Sequence, residues 1–144
     1  MYERILVPTD GSKEARKGAR HAVDLARELG STVHALYVIK EGGNPWLSEP
    51  MEDQQERARE YGQGIAGEVA DMADEAGVDC VTVVKAGPSV YEKINDYVEE
   101  NDIDGIVMGT GYRGSVGGLL GSTAEKVVRT ADVPVTTLRR SQNE

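Results

Sequence analysis

The stretch Ile106 to Glu125 reads IVMGTGYRGSVGGLLGSTAE, and its three parts follow one another without a gap. An apolar run at Ile106 to Met108 has strand character. A glycine-dense segment follows, with glycines at 109, 111, 114, 117, 118 and 121. Then Ser122, with Glu125 three residues on, has the capping-box pattern that opens a helix over Val127, Val128 and Ala131. A strand that runs through a glycine loop into a helix is a unit of an α/β fold. Glycine lifts the steric bar to positive φ and lets backbone N–H groups approach a ligand, while a helix start adds free N–H groups and the positive end of its dipole. The segment is thus a candidate anion cradle. A surface loop with Ser122 acting only as a cap is the lesser alternative, and the two roles are compatible.

Outward from this unit the same alternation recurs. Apolar runs lie at Ile5 to Val7, Val33 to Ile39, Val81 to Val84 and Val133 to Leu138, with helix-length segments between them. Strands apolar on both faces and spaced by helices predict parallel strands covered on two sides. The first helix is expected over Lys13 to Leu29, with Ala15, Ala19, Ala22, Val23, Ala26 and Leu29 on one stripe and Gly30 as its stop. Its small side chains predict a close approach to the sheet. The second is expected over Asp53 to Ala76, with Tyr61, Ile65, Val69, Met72 and Ala76 facing inward and Gly77 ending it. Gly62, Gly64 and Gly67 weaken that helix, each by about 1 kcal/mol relative to alanine. The third starts at Ser89, again with a glutamate three residues on, Glu92, and buries Val90, Ile94 and Val98. The segment Lys40 to Met51, with Gly42, Gly43, Pro45, Trp46 and Pro50, reads as an irregular loop whose tryptophan packs on a neighbouring element.

The whole chain, residues 1–144, is expected to form a single domain. Acidic residues outnumber basic ones by 25 to 16, giving a formal charge of -9, so a nucleic-acid partner is not expected. No window approaches the roughly 18 apolar residues of a membrane span, and the start lacks a signal-peptide pattern. A cytoplasmic protein with no membrane partner is expected. The single cysteine, Cys80, has no internal partner, and its valine neighbours suit a buried thiol.

Most site chemistries are excluded by spacing. A P-loop requires Lys and then Ser or Thr after its final glycine, whereas Gly114 is followed by Ser115 and Val116. Without that lysine, fast phosphoryl transfer is not expected. Gly109, Gly111 and Gly114 match a dinucleotide fingerprint literally, but they follow the fourth strand, and the next strand ends in Leu138 and Arg139 with no acid for a ribose. His21 and His34 have no Cys or His partner at zinc-ligand spacing. A Ser-His-acid triad needs a serine at a sharp glycine elbow, and Ser122 opens a helix instead. A response-regulator pocket around Asp10 lacks a phosphate-accepting Asp at the end of the third strand, which reads Val84, Lys85, Ala86.

One pattern does match. Gly109 and Gly111, then nine residues to Gly121 and Ser122, resemble the ATP-binding signature of the universal stress protein family: Gly, two residues, Gly, nine residues, Gly, Ser or Thr. The chain departs from it in having one residue between its first glycines. ERILVPTDGS at the start, the helix around Ala22 to Ala26, HALYVI, AGPSVYEKI and GSTAEKVVRTADVPVTTL also resemble the family in order and spacing. The resemblance covers essentially the whole chain.

It implies an α/β domain with one open five-stranded parallel sheet in the order 3-2-1-4-5 and helices on both faces, the adenine nucleotide alpha hydrolase-like arrangement. It also implies a stress-response nucleotide binder for ATP, or AMP or ADP, with Mg2+ expected on the triphosphate; no enzyme is expected, with slow hydrolysis at most. Strand order reverses between strands one and four, and the crevice expected there puts Pro8, Thr9 and Asp10 across from Met108 and Gly109. By resemblance Asp10 accepts hydrogen bonds from ribose and adenine, while its residue type equally suits the N-cap of the first helix. Val38 and Met108 match positions against adenine, and they are also ordinary core residues at strand ends. Gly111, Gly121, Ser122 and Thr123 match positions around ribose and phosphates, with Gly114 beside them. Arg113 is the cation of the loop. The family's dimers imply a homodimer through the last strand, Val133 to Leu138. A dimeric signalling scaffold of the same fold without a nucleotide is the alternative, and the shortened glycine spacing favours it.

Overall fold

The computed structural model describes residues 2–41, 52–110 and 121–139. Five strands and four helices alternate: β1 (Arg4–Pro8), α1 (Lys13–Leu29), β2 (Thr32–Lys40), α2 (Glu52–Glu75), β3 (Cys80–Gly87), α3 (Val90–Glu100), β4 (Gly105–Thr110), α4 (Ser122–Thr130) and β5 (Val135–Arg139). All pairings are parallel, in the order β3-β2-β1-β4-β5. The fold expected from the sequence is therefore the one found.

Two apolar clusters sandwich the sheet. Ile5, Val7, Val33, Ala35 and Val107 join Ala19, Ala22 and Val23 of α1 and Ala66, Val69 and Ala73 of α2. On the other face Leu6, Leu36, Ile106 and Met108 join Ile94 and Val98 of α3 and Ala124 and Val127 of α4. Alternate residues of each central strand serve opposite clusters, which is why these strands read as continuous apolar runs.

The small stripe of α1 has the predicted consequence. A Cβ on Gly18 would lie 2.7 Å from the Gly109 amide nitrogen, and one on Gly109 would collide with the Glu14 carbonyl. Helix and strand thus touch through backbone. Ser12 caps α1, its hydroxyl accepting from the Ala15 N–H at 3.1 Å, and Gly30 closes the helix in the left-handed region at φ 71°. Leu29, expected inside, is 49% exposed because the stripe has already turned outward by the last residue of the helix.

Other expectations are corrected. The buried stripe of α2 runs through Gly62, Ala66, Val69 and Ala73, leaving Tyr61 60% exposed, because the ring of Tyr37 on β2 fills the space where a Gly62 Cβ would sit. Neither capping box forms. Ser89 caps α3 by position but its side chain makes no cap bond, and Glu92 instead accepts from the Tyr91 hydroxyl. The cap of α4 is Gly121, so Ser122 is already helical, and the Glu125 carboxylate pairs with Arg129 one turn on. Val128 is 47% exposed. β5 begins at Val135, two residues later than expected, since Pro134 has no N–H for the ladder and contributes only its carbonyl, which accepts from Ile106 N–H. β3 is longer than its apolar run and pairs with β2 from Cys80 to Gly87; as an edge strand it leaves Val81 exposed and Cys80 only half-buried. Partial burial still raises the Cys80 thiol pKa, which disfavours the reactive thiolate. Trp46 and nearly all of the loop around it lie outside the described residues.

Candidate functional site

β1 stays paired to β2 as far as Pro8 and Leu36, and the Thr9 N–H extends that ladder by bonding the Leu36 carbonyl at 2.9 Å. Its ladder to β4 ends sooner. The last pair is Leu6 with Ile106, although both strands run on, to Pro8 and Thr110. The carboxyl ends of β1 and β4 consequently part, and a cavity of about 310 Å³ opens between them. This is the point where strand order reverses, because β1 leads outward to β2 and β4 leads the other way to β5.

The described candidates meet at this cavity. Pro8, Thr9 and Asp10 line it from β1, Val38 from β2, and Met108 and Gly109 from β4. Gly121, Ser122 and Thr123 line it from the start of α4. Gly111, Gly114 and Arg113 lie outside the described residues.

The tip of β1 is fixed by short local bonds. The Gly11 N–H donates to Thr9 Oγ1 at 3.2 Å and the Ser12 N–H to Asp10 Oδ1 at 2.9 Å, with Gly11 in the left-handed region at φ 82°. Asp10 is therefore not the N-cap of α1, a role that falls to Ser12. Its exposed carboxylate stands close enough to Tyr37 to help raise that phenol's pKa, after burial and alongside Tyr61. Gly109 owes its lack of a side chain to the Glu14 carbonyl, so packing alone accounts for that glycine. Gly121 has φ -62° and ψ 155°, an extended conformation open to any residue. With a glycine as cap, no cap side chain bonds the first N–H groups of α4, and the helix start lines the cavity together with Asp10 and Glu14 as well as the apolar Leu36, Val38, Ile94 and Met108.

Sequence reasoning did not include Thr110, Leu36, Val90, Ile94 or Ala124 in the site, though all line the cavity. The signal for Thr110 was available, because strand alternation puts it on the same face as Met108. Among the described residues no group of three or more His, Cys, Asp and Glu side chains is placed to hold a metal ion. His34 is buried instead, its Nδ1 2.7 Å from the Tyr97 hydroxyl. No helix of the described residues is long and apolar enough to cross a membrane.

With the geometry in place, the relatives decide the family. Residues 1–139 match the sequence model of the Universal stress protein family. The chain belongs to the universal stress protein family. Universal stress protein MJ0531 of Methanocaldococcus jannaschii is 36% identical to it over 149 aligned positions, covering 100% of this chain and 86% of that protein. Among solved structures, hypothetical protein MJ0577 superposes with a TM-score of 0.84 at 24% identity, covering 99% of both chains. A universal stress protein in complex with cAMP superposes at 0.72, with 22% identity and 97% and 98% of the two chains covered. The Archaeoglobus fulgidus universal stress protein in complex with dAMP superposes at 0.69, with 22% identity and 94% and 97% covered. At these identities the structural likenesses establish a shared universal stress protein fold.

Proposed function

We propose that this universal stress protein binds an adenine nucleotide in the cavity between β1 and β4, with ATP as the principal ligand and AMP or ADP as related ones. The observation that carries the reading is the early end of the β1–β4 ladder: the strands part where the described candidates gather. Val38 and Met108 offer apolar surface for the base, and the Asp10 carboxylate an acceptor for ribose and adenine donors. Gly121, Ser122 and Thr123 surround the phosphates, with the first N–H groups of α4 as donors that need no basic side chain, and Gly109 lines the crevice beside them. This is compatible with a net charge of -9, since the donors are local. The cAMP and dAMP complexes of structural relatives support an adenine ligand.

Magnesium would come with the triphosphate as its companion ion rather than sit in a cage of protein carboxylates. Its contribution there would be to neutralise phosphate charge. The protein's part is to bind and orient; the sequence has no P-loop lysine after its glycines, and we assign it no turnover. In this reading it is a cytoplasmic stress-response regulator. The outer edge of β5 pairs with a second copy to form a homodimer.

Isothermal calorimetry with Mg-ATP tests the binding, and phosphate release under the same conditions tests the absence of turnover. Saturable heat without release at ordinary enzymatic rates supports the reading. Light scattering during gel filtration tests the dimer, which requires twice the 15.5 kDa chain mass. A second reading, a dimeric scaffold without nucleotide, draws on Gly109: its conservation of space for the Glu14 carbonyl removes one glycine from the ligand argument. A dimer that gives neither heat nor a thermal shift with ATP would favour that scaffold.

A further inference from the structure

Thr110 closes β4, and strand alternation sets it beside Met108 on the sheet face that carries α3 and α4. It is 1% exposed and lines the cavity. Its Oγ1 is buried without a hydrogen-bond partner among the described residues. Stranding a buried hydroxyl costs stability, and folded proteins satisfy nearly all such groups. Valine has almost the same shape, keeps the β-branch that strands favour, and would carry no such cost. Among the described residues, packing therefore does not account for this hydroxyl.

The ligand does. Gly121, Ser122 and Thr123 line the same cavity at the start of α4, a helix of nine residues whose glycine cap gives the first N–H groups no side-chain partner. An O–H donor near uncapped helix N–H groups suits an oxyanion. We propose that Thr110 is a ligand-contacting residue whose hydroxyl donates to a phosphoryl oxygen of the bound nucleotide. This rests on the nucleotide reading above and adds that Thr110, the last residue of β4, meets the phosphates, while Met108 two residues earlier stays against the base. The oxygen is closed to solvent before binding, so engagement takes a turn about χ1, which moves the hydroxyl and the methyl between staggered positions.

Calorimetry of the wild type, Thr110→Val and Thr110→Ser with Mg-ATP and with adenosine, and thermal melts of each without ligand, test the contact. A hydrogen bond to a charged group corresponds to roughly ten- to a hundredfold in affinity. Thr110→Val should lose about that factor for Mg-ATP, keep adenosine within about twofold, and melt at or above the wild-type temperature. Thr110→Ser should stay near wild type for both ligands. If the wild type binds and Thr110→Val binds Mg-ATP equally well, or loses adenosine to the same extent, or melts lower, the contact is overturned and the nucleotide reading stands. If the wild type binds neither ligand, both are overturned.

Discussion

Gly18 of α1 and Gly109 of β4 meet backbone to backbone: a Cβ on Gly18 would stand 2.7 Å from the Gly109 nitrogen and 3.0 Å from the Met108 carbonyl carbon. The contact holds the first turns of α1 against the strand whose end forms one wall of the cavity. Overpacking outweighs the helix propensity gained by alanine here, so Gly18→Ala should destabilise by about 1–3 kcal/mol. Gly64 is the control. It is helical with nothing within 4 Å of its Cβ position, so Gly64→Ala should stabilise by up to about 1 kcal/mol. Urea denaturation of both variants should give midpoints that move in opposite directions.

Ser12 holds the start of α1 through a single side-chain bond to the Ala15 N–H. Ser12→Ala should cost about 1 kcal/mol and lower the melting temperature by about 2–4 °C. Asp10→Ala leaves that cap in place. It should cost less stability than Ser12→Ala while weakening nucleotide binding, a separation that paired melts and calorimetry would reveal.

His34 supplies a pH dependence. Burial lowers its pKa below the ordinary 6.5, with a smaller contribution from the Arg4 guanidinium. The unfolded chain therefore takes up a proton near pH 6.5 that the folded chain resists. The neutral His34 contributes stability in full above that pH, and this is lost as pH falls from about 6.5 through the lower folded pKa. The difference in melting temperature between wild type and His34→Leu should shift against the wild type on going from pH 8 to pH 5. A difference constant with pH would contradict the assignment.

Much of this fold was legible because each strand is bounded by strong local signals. Gly30 and Gly77 stop their helices in the left-handed conformation, both at φ 71°, and the apolar runs fall on strands. The lining of the candidate cavity was legible to the extent that it sits at strand tips, as with Pro8 to Asp10 and Met108. What the sequence hid was decided by tertiary contact. The Tyr37 ring turned Gly62 inward and Tyr61 out, and a cap at Gly121 displaced the pattern built on Ser122. Thr110 was passed over because a threonine at a strand end is unremarkable until its oxygen is found without a partner among the described residues.

Amide chemical-shift mapping during a titration with Mg-ATP tests the cavity assignment most directly. The account predicts saturable shifts concentrated at Thr9, Asp10, Val38, Met108 to Thr110 and Gly121 to Thr123, with β3 and the distal turns of α2 unmoved. Saturation with those amides unchanged, or shifts gathered on another face of the sheet, would contradict it.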